Sequence, residues 1–149
     1  MNNLILLVED NASDEKLTLL AFRGWGVPHQ ITVVRDGAAA IDYLVPDAGK
    51  SGRESAPLPR IVLLDLKLPK VDGLEVLRRV RADDRTRLLP VIVLTASKED
   101  EDLVRSYSLG ANAYVRKPVD FGEFAKAAQT LGQFWLVMNQ PAPRGGAAP

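Results

Sequence analysis

The stretch Ile61-Val62-Leu63-Leu64-Asp65-Leu66-Lys67-Leu68-Pro69 decides the reading of this chain. Four aliphatic residues in a row, with no polar alternation, describe a short strand covered on both faces, as in a parallel sheet between two helix layers. The run ends in a carboxylate, Asp65, and Pro69 and Gly73 forbid the strand from continuing. Open α/β sheets place ligand sites outside the carboxyl ends of their strands. Taken alone, Asp65 reads more simply as a cap on the strand exit or on the turn after it. The other strand ends change that reading.

Outward from this run the pattern alternates. Leu4-Ile5-Leu6-Leu7-Val8 is a second continuous apolar run, ending in Glu9-Asp10. Ser13 is expected to cap a helix with Leu17, Leu20 and Ala21 at helical spacing, stopped by Gly24 and Gly26. Ile31 to Val34 reads as a strand, and Asp36 opens a helix through Ala40, Ile41 and Leu44. After Pro69, a helix from about Gly73 to Ala82 turns Leu74, Leu77 and Val80 inward. Pro90 to Leu94 is the fourth strand, ending in Thr95-Ala96-Ser97, with a helix from about Lys98 to Leu109 closed by Gly110. Ala113 to Arg116 is the fifth strand, ending in Lys117-Pro118, and Asp120 caps a last helix.

Five strands separated by helices, without an internal repeat, predict one α/β domain: a doubly wound five-stranded parallel sheet. Right-handed crossovers bring all five strand ends to one rim. That rim carries Glu9, Asp10, Asp65, Thr95 and Lys117. Three carboxylates, a hydroxyl and an ammonium at strand exits are a far less ordinary coincidence than any one of them.

Composition excludes several function classes. The 149 residues suit one domain with a proper core. Nineteen basic and nineteen acidic residues cancel, leaving no net field to draw in nucleic acid or an anionic membrane. The absence of cysteine removes disulfides, thiolate chemistry and Cys-based zinc sites. The Leu4–Val8 run is too short for a signal-peptide core or a membrane span, so a cytoplasmic protein is expected.

Carboxylates held a few ångströms apart repel by about 1 kcal/mol per pair in water and about 4 at a protein-like effective dielectric. A hard divalent cation relieves the repulsion, and Mg2+ suits a site with few carboxylates, retained waters and a substrate phosphate. Phosphoryl transfer needs little beyond positioning and cancellation of charge on the equatorial oxygens. Lys117 and the Thr95 hydroxyl can each meet one such oxygen, small Ala96 leaves access, and central Asp65 becomes the nucleophile.

Glu9-Asp10, Asp65, Thr95 and Lys117-Pro118 on a fivefold βα pattern resemble the receiver domain of bacterial two-component response regulators, which has the flavodoxin-like (βα)5 fold. The resemblance covers about Asn2 to Leu131. It implies that a sensor histidine kinase phosphorylates Asp65. It further implies that Asp10 and Asp65 bind Mg2+ directly, Glu9 partly through water, and Lys67 through its carbonyl. Thr95 and Tyr114 match the family's switch pair, in which the hydroxyl moves toward the phosphoryl group and the ring turns inward. Lys117-Pro118 matches a lysine followed by a cis peptide bond. Lys67 itself departs from the small polar residue many relatives carry, which bears on phosphate lifetime.

Two other classes compete. A phosphatase of the haloacid dehalogenase group also forms an aspartyl-phosphate with Mg2+, but it wants a second aspartate where Lys67 stands, and a cap for substrate. A dinucleotide-binding module wants a glycine-rich turn where Glu9-Asp10-Asn11-Ala12 stands. His29 lies in a turn and is no phosphodonor by position, so the chain reads as an acceptor. Arg78, Arg79 and Arg81 read as the wet face of the third helix.

Pro46 to Arg60 is a long Gly/Ser/Pro-rich connection on the rim opposite the site, expected to serve spacing or partner contact. The receiver is expected to span residues 1–139 and residues 140–149 to form a disordered tail, so that output runs through protein contacts. The last helix, Phe121 to about Asn139, would be roughly 27 Å long. Phe124, Ala125, Ala128 and Leu131 suit the sheet, while Phe134-Trp135-Leu136-Val137-Met138 is apolar all round. Such a surface predicts a homodimer through the fourth helix, fifth strand and fifth helix, with Trp135 near its centre and Phe134 also at the interface. The loop and this helix resemble single-domain regulators paired with bacterial phytochromes, which makes a phytochrome the expected kinase.

Overall fold

The computed structural model describes residues 3–45, 57–118 and 120–143. Five strands, β1 (Leu4–Val8), β2 (Gln30–Val34), β3 (Ile61–Leu64), β4 (Val91–Thr95) and β5 (Ala113–Arg116), form one sheet. They alternate with helices α1 (Ala12–Arg23), α2 (Gly37–Leu44), α3 (Gly73–Ala82), α4 (Asp100–Ser108) and α5 (Phe121–Gly132). The spatial order is β2-β1-β3-β4-β5, every pairing parallel. The order reverses between β1 and β3, and a crevice opens at that point, at the strands' carboxyl ends.

Both sheet faces are covered, which is why the central strands read as unbroken apolar runs. Leu6, Val8, Val62, Leu64, Val91 and Val93 pack against Ala40 and Leu44 of α2 and Val76, Leu77 and Val80 of α3. Their alternate neighbours Ile5, Leu7, Ile61, Leu63, Ile92 and Leu94 pack against Ala21 and Phe22 of α1 and Phe124 and Ala128 of α5. At about 25 cal/mol per Å2 a fully buried aliphatic contributes roughly 1.5–3 kcal/mol, so these two layers are the main source of stability.

Several local expectations are corrected. Asn11, not Ser13, caps α1: its Oδ1 accepts the Asp14 N–H at 2.9 Å. The inner face of α1 is Thr18, Ala21 and Phe22, while Leu20 is turned outward. Thr18 tolerates full burial because its hydroxyl donates to the Asp14 carbonyl one turn back. α4 begins at Asp100 rather than Lys98.

Arg81 is not on a wet face. Its guanidinium donates to the carbonyls of Gly110 (2.9 Å) and Leu89 (2.8 Å) and to Asn112 Oδ1 (2.8 Å). It thereby ties the end of α3 to the turn between α4 and β5. The five donors of an arginine suit a cluster of loop carbonyls, which a charge pattern along one helix does not reveal.

The last helix is regular only to Gly132; Gln133–Met138 widens into a π-helical turn, with the Asn139 N–H donating to the Phe134 carbonyl five residues back. Gly132 lies against Trp25 of the α1–β2 connection, where a Cβ would stand 2.8 Å from the indole. The widened turn buries Leu136, half-buries Trp135 against the α1/α5 layer, and leaves Phe134, Val137 and Met138 exposed. The expected loop 46–60 falls outside the described residues for 46–56, and the expected tail does so from residue 144.

Candidate functional site

The site is built from the carboxyl ends of four elements. β1 delivers Glu9, which is buried, and Asp10, which is exposed; β3 delivers Asp65; β4 delivers Thr95, fully buried; β5 delivers Lys117. Carboxylate oxygens of Glu9, Asp10 and Asp65 lie within 4.8 Å of one another. Asp65 is pinned by the turn that follows it. The Gly73 N–H donates to the Leu66 carbonyl at 2.9 Å, and a Cβ on Gly73 would overlap the Asp65 carbonyl oxygen. The glycine therefore permits the close return of the chain that starts α3 beneath Asp65.

Lys117 is the centre of the electrostatics. Its Nζ donates to Glu9 Oε1 at 2.6 Å, Asp14 Oδ2 at 2.9 Å and Asp65 Oδ2 at 3.1 Å. Its backbone N–H donates to the Thr95 carbonyl at 2.8 Å, locking the two last strand ends together. Burial disfavours charge on Lys117, but the hydrogen bonds to Glu9 and Asp14 and the charge of Asp65 outweigh it and hold the ammonium protonated well above the usual lysine range. Burial pushes the Glu9 carboxyl up to about 7, opposed by Lys117 and reinforced by the like charge of Asp65. More carboxylate is gathered here than one ammonium neutralises.

That surplus fits a hard divalent cation. Three carboxylate oxygens within 4.8 Å of one another, one of them on an exposed residue, match a metal that takes oxygen ligands at about 2.0–2.1 Å and keeps several waters. Glu9, Asp10 and Asp65 are the residues that would hold Mg2+. Lys67 follows in the turn, with its N–H 3.4 Å from Asp65 Oδ1.

Of the anticipated residues, the structure brings together Glu9, Asp10, Asp65 and Lys117. Thr95 stands at the neighbouring strand end with its Oγ1 accepting the Ser97 N–H at 3.3 Å, beside exposed Ala96. Tyr114 packs on the α2/α3 side of the sheet, its phenol oxygen buried and without a hydrogen-bond partner among the described residues. The Lys117–Pro118 bond is trans, since no cis peptide bond occurs among the described residues, and this corrects the expectation of cis. Trans is the intrinsically favoured form of an X-Pro bond by about 0.5–1 kcal/mol, and Lys117 reaches all three carboxylates with it. Sequence reasoning missed Asp14. It stands in the first turn of α1, which leaves the rim directly after Glu9-Asp10, and an acid at that helix start was the available signal.

Residues 5–129 match the family model described as the response regulator receiver domain. The probable methanogenesis regulatory protein FilR2 of Methanothrix harundinacea is 45% identical over 141 residues, 94% of this chain and 88% of that protein. The response regulator Rcp1 of Synechocystis is 36% identical over 133 residues, 89% of this chain and 88% of Rcp1. Its Mn2+-bound crystal structure superposes with a TM-score of 0.85 at 34% identity, covering 95% of this chain and 99% of that one. The phosphorylated cyanobacterial phytochrome response regulator RcpA superposes with a TM-score of 0.88 at 34% identity, covering 96% of this chain and all of RcpA. These neighbours share the flavodoxin-like receiver fold.

Proposed function

The chain belongs to the response regulator receiver domain family of two-component systems, and from that premise we propose that its Asp65 accepts a phosphoryl group from a sensor histidine kinase. The observation that carries this reading is the meeting of Glu9, Asp10, Asp65 and Lys117 at adjoining strand ends. A carboxylate oxygen of Asp65 attacks the phosphorus of a phosphohistidine. The new O–P bond forms as the N–P bond breaks, and the imidazole leaves with the electron pair and takes a proton from water. Lys117 turns from the Asp65 carboxylate to an oxygen of the transferred group, and the Thr95 hydroxyl donates to another. Mg2+, when bound, supplies the positive charge that lets an anionic nucleophile and an anionic phosphoryl group approach. Lys67 offers its backbone carbonyl as a further metal ligand.

The likeness to RcpA, a phytochrome response regulator, supports a phytochrome as the kinase. The cytoplasm is the proposed compartment; among the described residues no helix is long and apolar enough to cross a membrane. Output is read as protein contact rather than nucleic-acid binding. The surface proposed for a homodimer is α4, β5 and α5 with the π-helical turn after it; Val104 and Tyr107 of α4 and Phe134 of that turn are exposed, and with Trp135 half-buried, Phe134 takes its place at the centre.

Intact-mass spectrometry after acetyl phosphate and Mg2+ tests the acceptor. One phosphoryl group is expected, lost with chelator and in Asp65→Asn. Full labelling of Asp65→Asn overturns the assignment, and steady release of phosphate from small phosphomonoesters would favour the phosphatase class instead.

A further inference from the structure

α4 is the helix least committed to the core. Its one buried residue is Ser106, whose hydroxyl has no hydrogen-bond partner among the described residues. No side chain caps its start, and Val104 and Tyr107 are exposed. β5, which flanks α4, presents a second buried hydroxyl without a partner among the described residues, that of Tyr114. Two orphaned hydroxyls on adjoining elements indicate that the present seating of α4 is not the best one available to it, because each forfeits a hydrogen bond it would have in water.

Something must therefore hold the helix down, and its two ends differ. Beyond the carboxyl end, the Gly110 carbonyl accepts from Arg81 at 2.9 Å, and Asn112 accepts from the same guanidinium. At the amino end the restraint is an ion pair. Asp102 Oδ2 lies 3.5 Å from Lys67 Nζ and accepts the Ser97 hydroxyl at 2.6 Å. These partners are not arbitrary. Lys67 is two residues after Asp65, and Ser97 is two after Thr95 and donates its N–H to the Thr95 hydroxyl. Asp102 thus joins the two loops between which a phosphoryl group on Asp65 would sit. Lys67 is the member free of packing, its side chain 72% exposed, whereas Asp102 is largely covered.

We propose that Lys67 is a two-position latch: paired with Asp102 it holds the amino end of α4, and on phosphorylation of Asp65 it exchanges that carboxylate for the phosphoryl oxygens and releases the helix. This rests on the reading of Asp65 as acceptor. A doubly charged phosphoryl group two residues away outbids the single charge of Asp102 for the same ammonium. The pivot is the Arg81 attachment, so release tilts α4 about its carboxyl end and lets Ser106 and Tyr114 find partners.

Hydrogen–deuterium exchange of the 103–107 amides, which are bonded within α4, read by mass spectrometry alongside the intact mass, tests this in the whole protein. In unphosphorylated Asp102→Asn the amides are expected to exchange several-fold faster than in wild type. Lys67→Met should behave alike, and the double variant should be no faster than either single one. Phosphorylated wild type should reach the same rate, with phosphorylation adding less than twofold in Asp102→Asn. Unchanged exchange in unphosphorylated Asp102→Asn, or additive effects in the double variant, overturns the latch without reference to phosphorylation. A wild type that gains the phosphoryl mass and leaves these amides unchanged overturns the release. Failure of wild type to gain that mass overturns the acceptor reading and the release with it, and the unphosphorylated variants then still decide the hold.

Discussion

Lys117 Nζ lies 2.6 Å from Glu9 Oε1, across 108 positions of sequence. The contact joins the ends of β1 and β5, which are separated in the sheet by β3 and β4. It holds the acidic rim together in the absence of metal. Both side chains are almost wholly buried, so neither has water to fall back on.

Removing the cation is therefore expected to be costly. Lys117→Met leaves Glu9, Asp14 and Asp65 crowded without compensation, and breaking a buried pair from one side costs about 3–5 kcal/mol. Because Asp14 is partly exposed, the lower end of that range is expected. Urea unfolding in chelator measures it, and Mg2+ should restore part of the loss while coupling of phosphorylation to output stays broken. An unchanged midpoint in chelator would contradict the role assigned to Lys117.

The Glu9 shift predicts an unusual pH dependence. Its folded value of about 7 lies above the ordinary 4.5, so the folded protein holds this proton more tightly than the unfolded chain. Its contribution is fully present below pH 4.5 and lost as pH rises through 7, by up to about 3 kcal/mol. Lys117, raised, stays charged throughout that window, and the lowered carboxylates Asp36, Glu75 and Asp102 lose their contributions only at more acid pH. Metal-free protein should thus lose stability from pH 5 to 8, and saturating Mg2+ should flatten or reverse the slope. A chelated sample that gains stability over this range would refute the assignment.

Gly73→Ala is expected to disturb Asp65, because Gly73 is the buried first residue of α3. The added methyl would overlap the Asp65 carbonyl oxygen, so the turn must shift. A loss of roughly 2 kcal/mol or more is expected, in the range of overpacked sites, with slower phosphorylation by acetyl phosphate. Wild-type labelling rates in this variant would show that the turn does not position Asp65.

Lys70→Gly should have the opposite sign. Lys70 adopts φ 69°, a left-handed backbone that costs a side-chain-bearing residue about 1–2 kcal/mol. Glycine removes that strain, and it also loosens the unfolded chain and deletes the exposed pair with Asp36. A net gain of about 0.5 kcal/mol is expected in thermal unfolding, and a loss would show that the Asp36 pair outweighs the backbone.

Phe134→Ala and Trp135→Ala should separate two roles that the sequence ran together. Trp135 packs against the α1/α5 layer and meets Phe134 edge-on at a centroid distance of 5.0 Å, so its removal should cost about 2–3 kcal/mol of stability. Phe134 is exposed, and its removal should lower the mass seen by light scattering at little cost in stability. A wild type that is monomeric at high concentration removes the proposed interface.

The sheet, its parallel sense and the residues on its rim were all legible in the sequence. Each strand is a short aliphatic run that ends in a polar group, and right-handed crossovers oblige those ends to share one edge. Glu9, Asp10, Asp65, Thr95 and Lys117 follow from that rule alone. What stands opposite a side chain in space is not a local property, and there only the tertiary structure decided. It gave Lys117 a third carboxylate, Asp14, from 103 positions away. It turned Arg81 inward to loop carbonyls instead of water, and chose Thr18 and Phe22 over Leu20 for the inner face of α1. It widened the last turn at Gly132, where Trp25 leaves no room for a side chain, and so decided which of five consecutive apolar residues are buried. Periodicity reports which residues avoid water, whereas these outcomes depend on the shape and charge of the surface each residue meets.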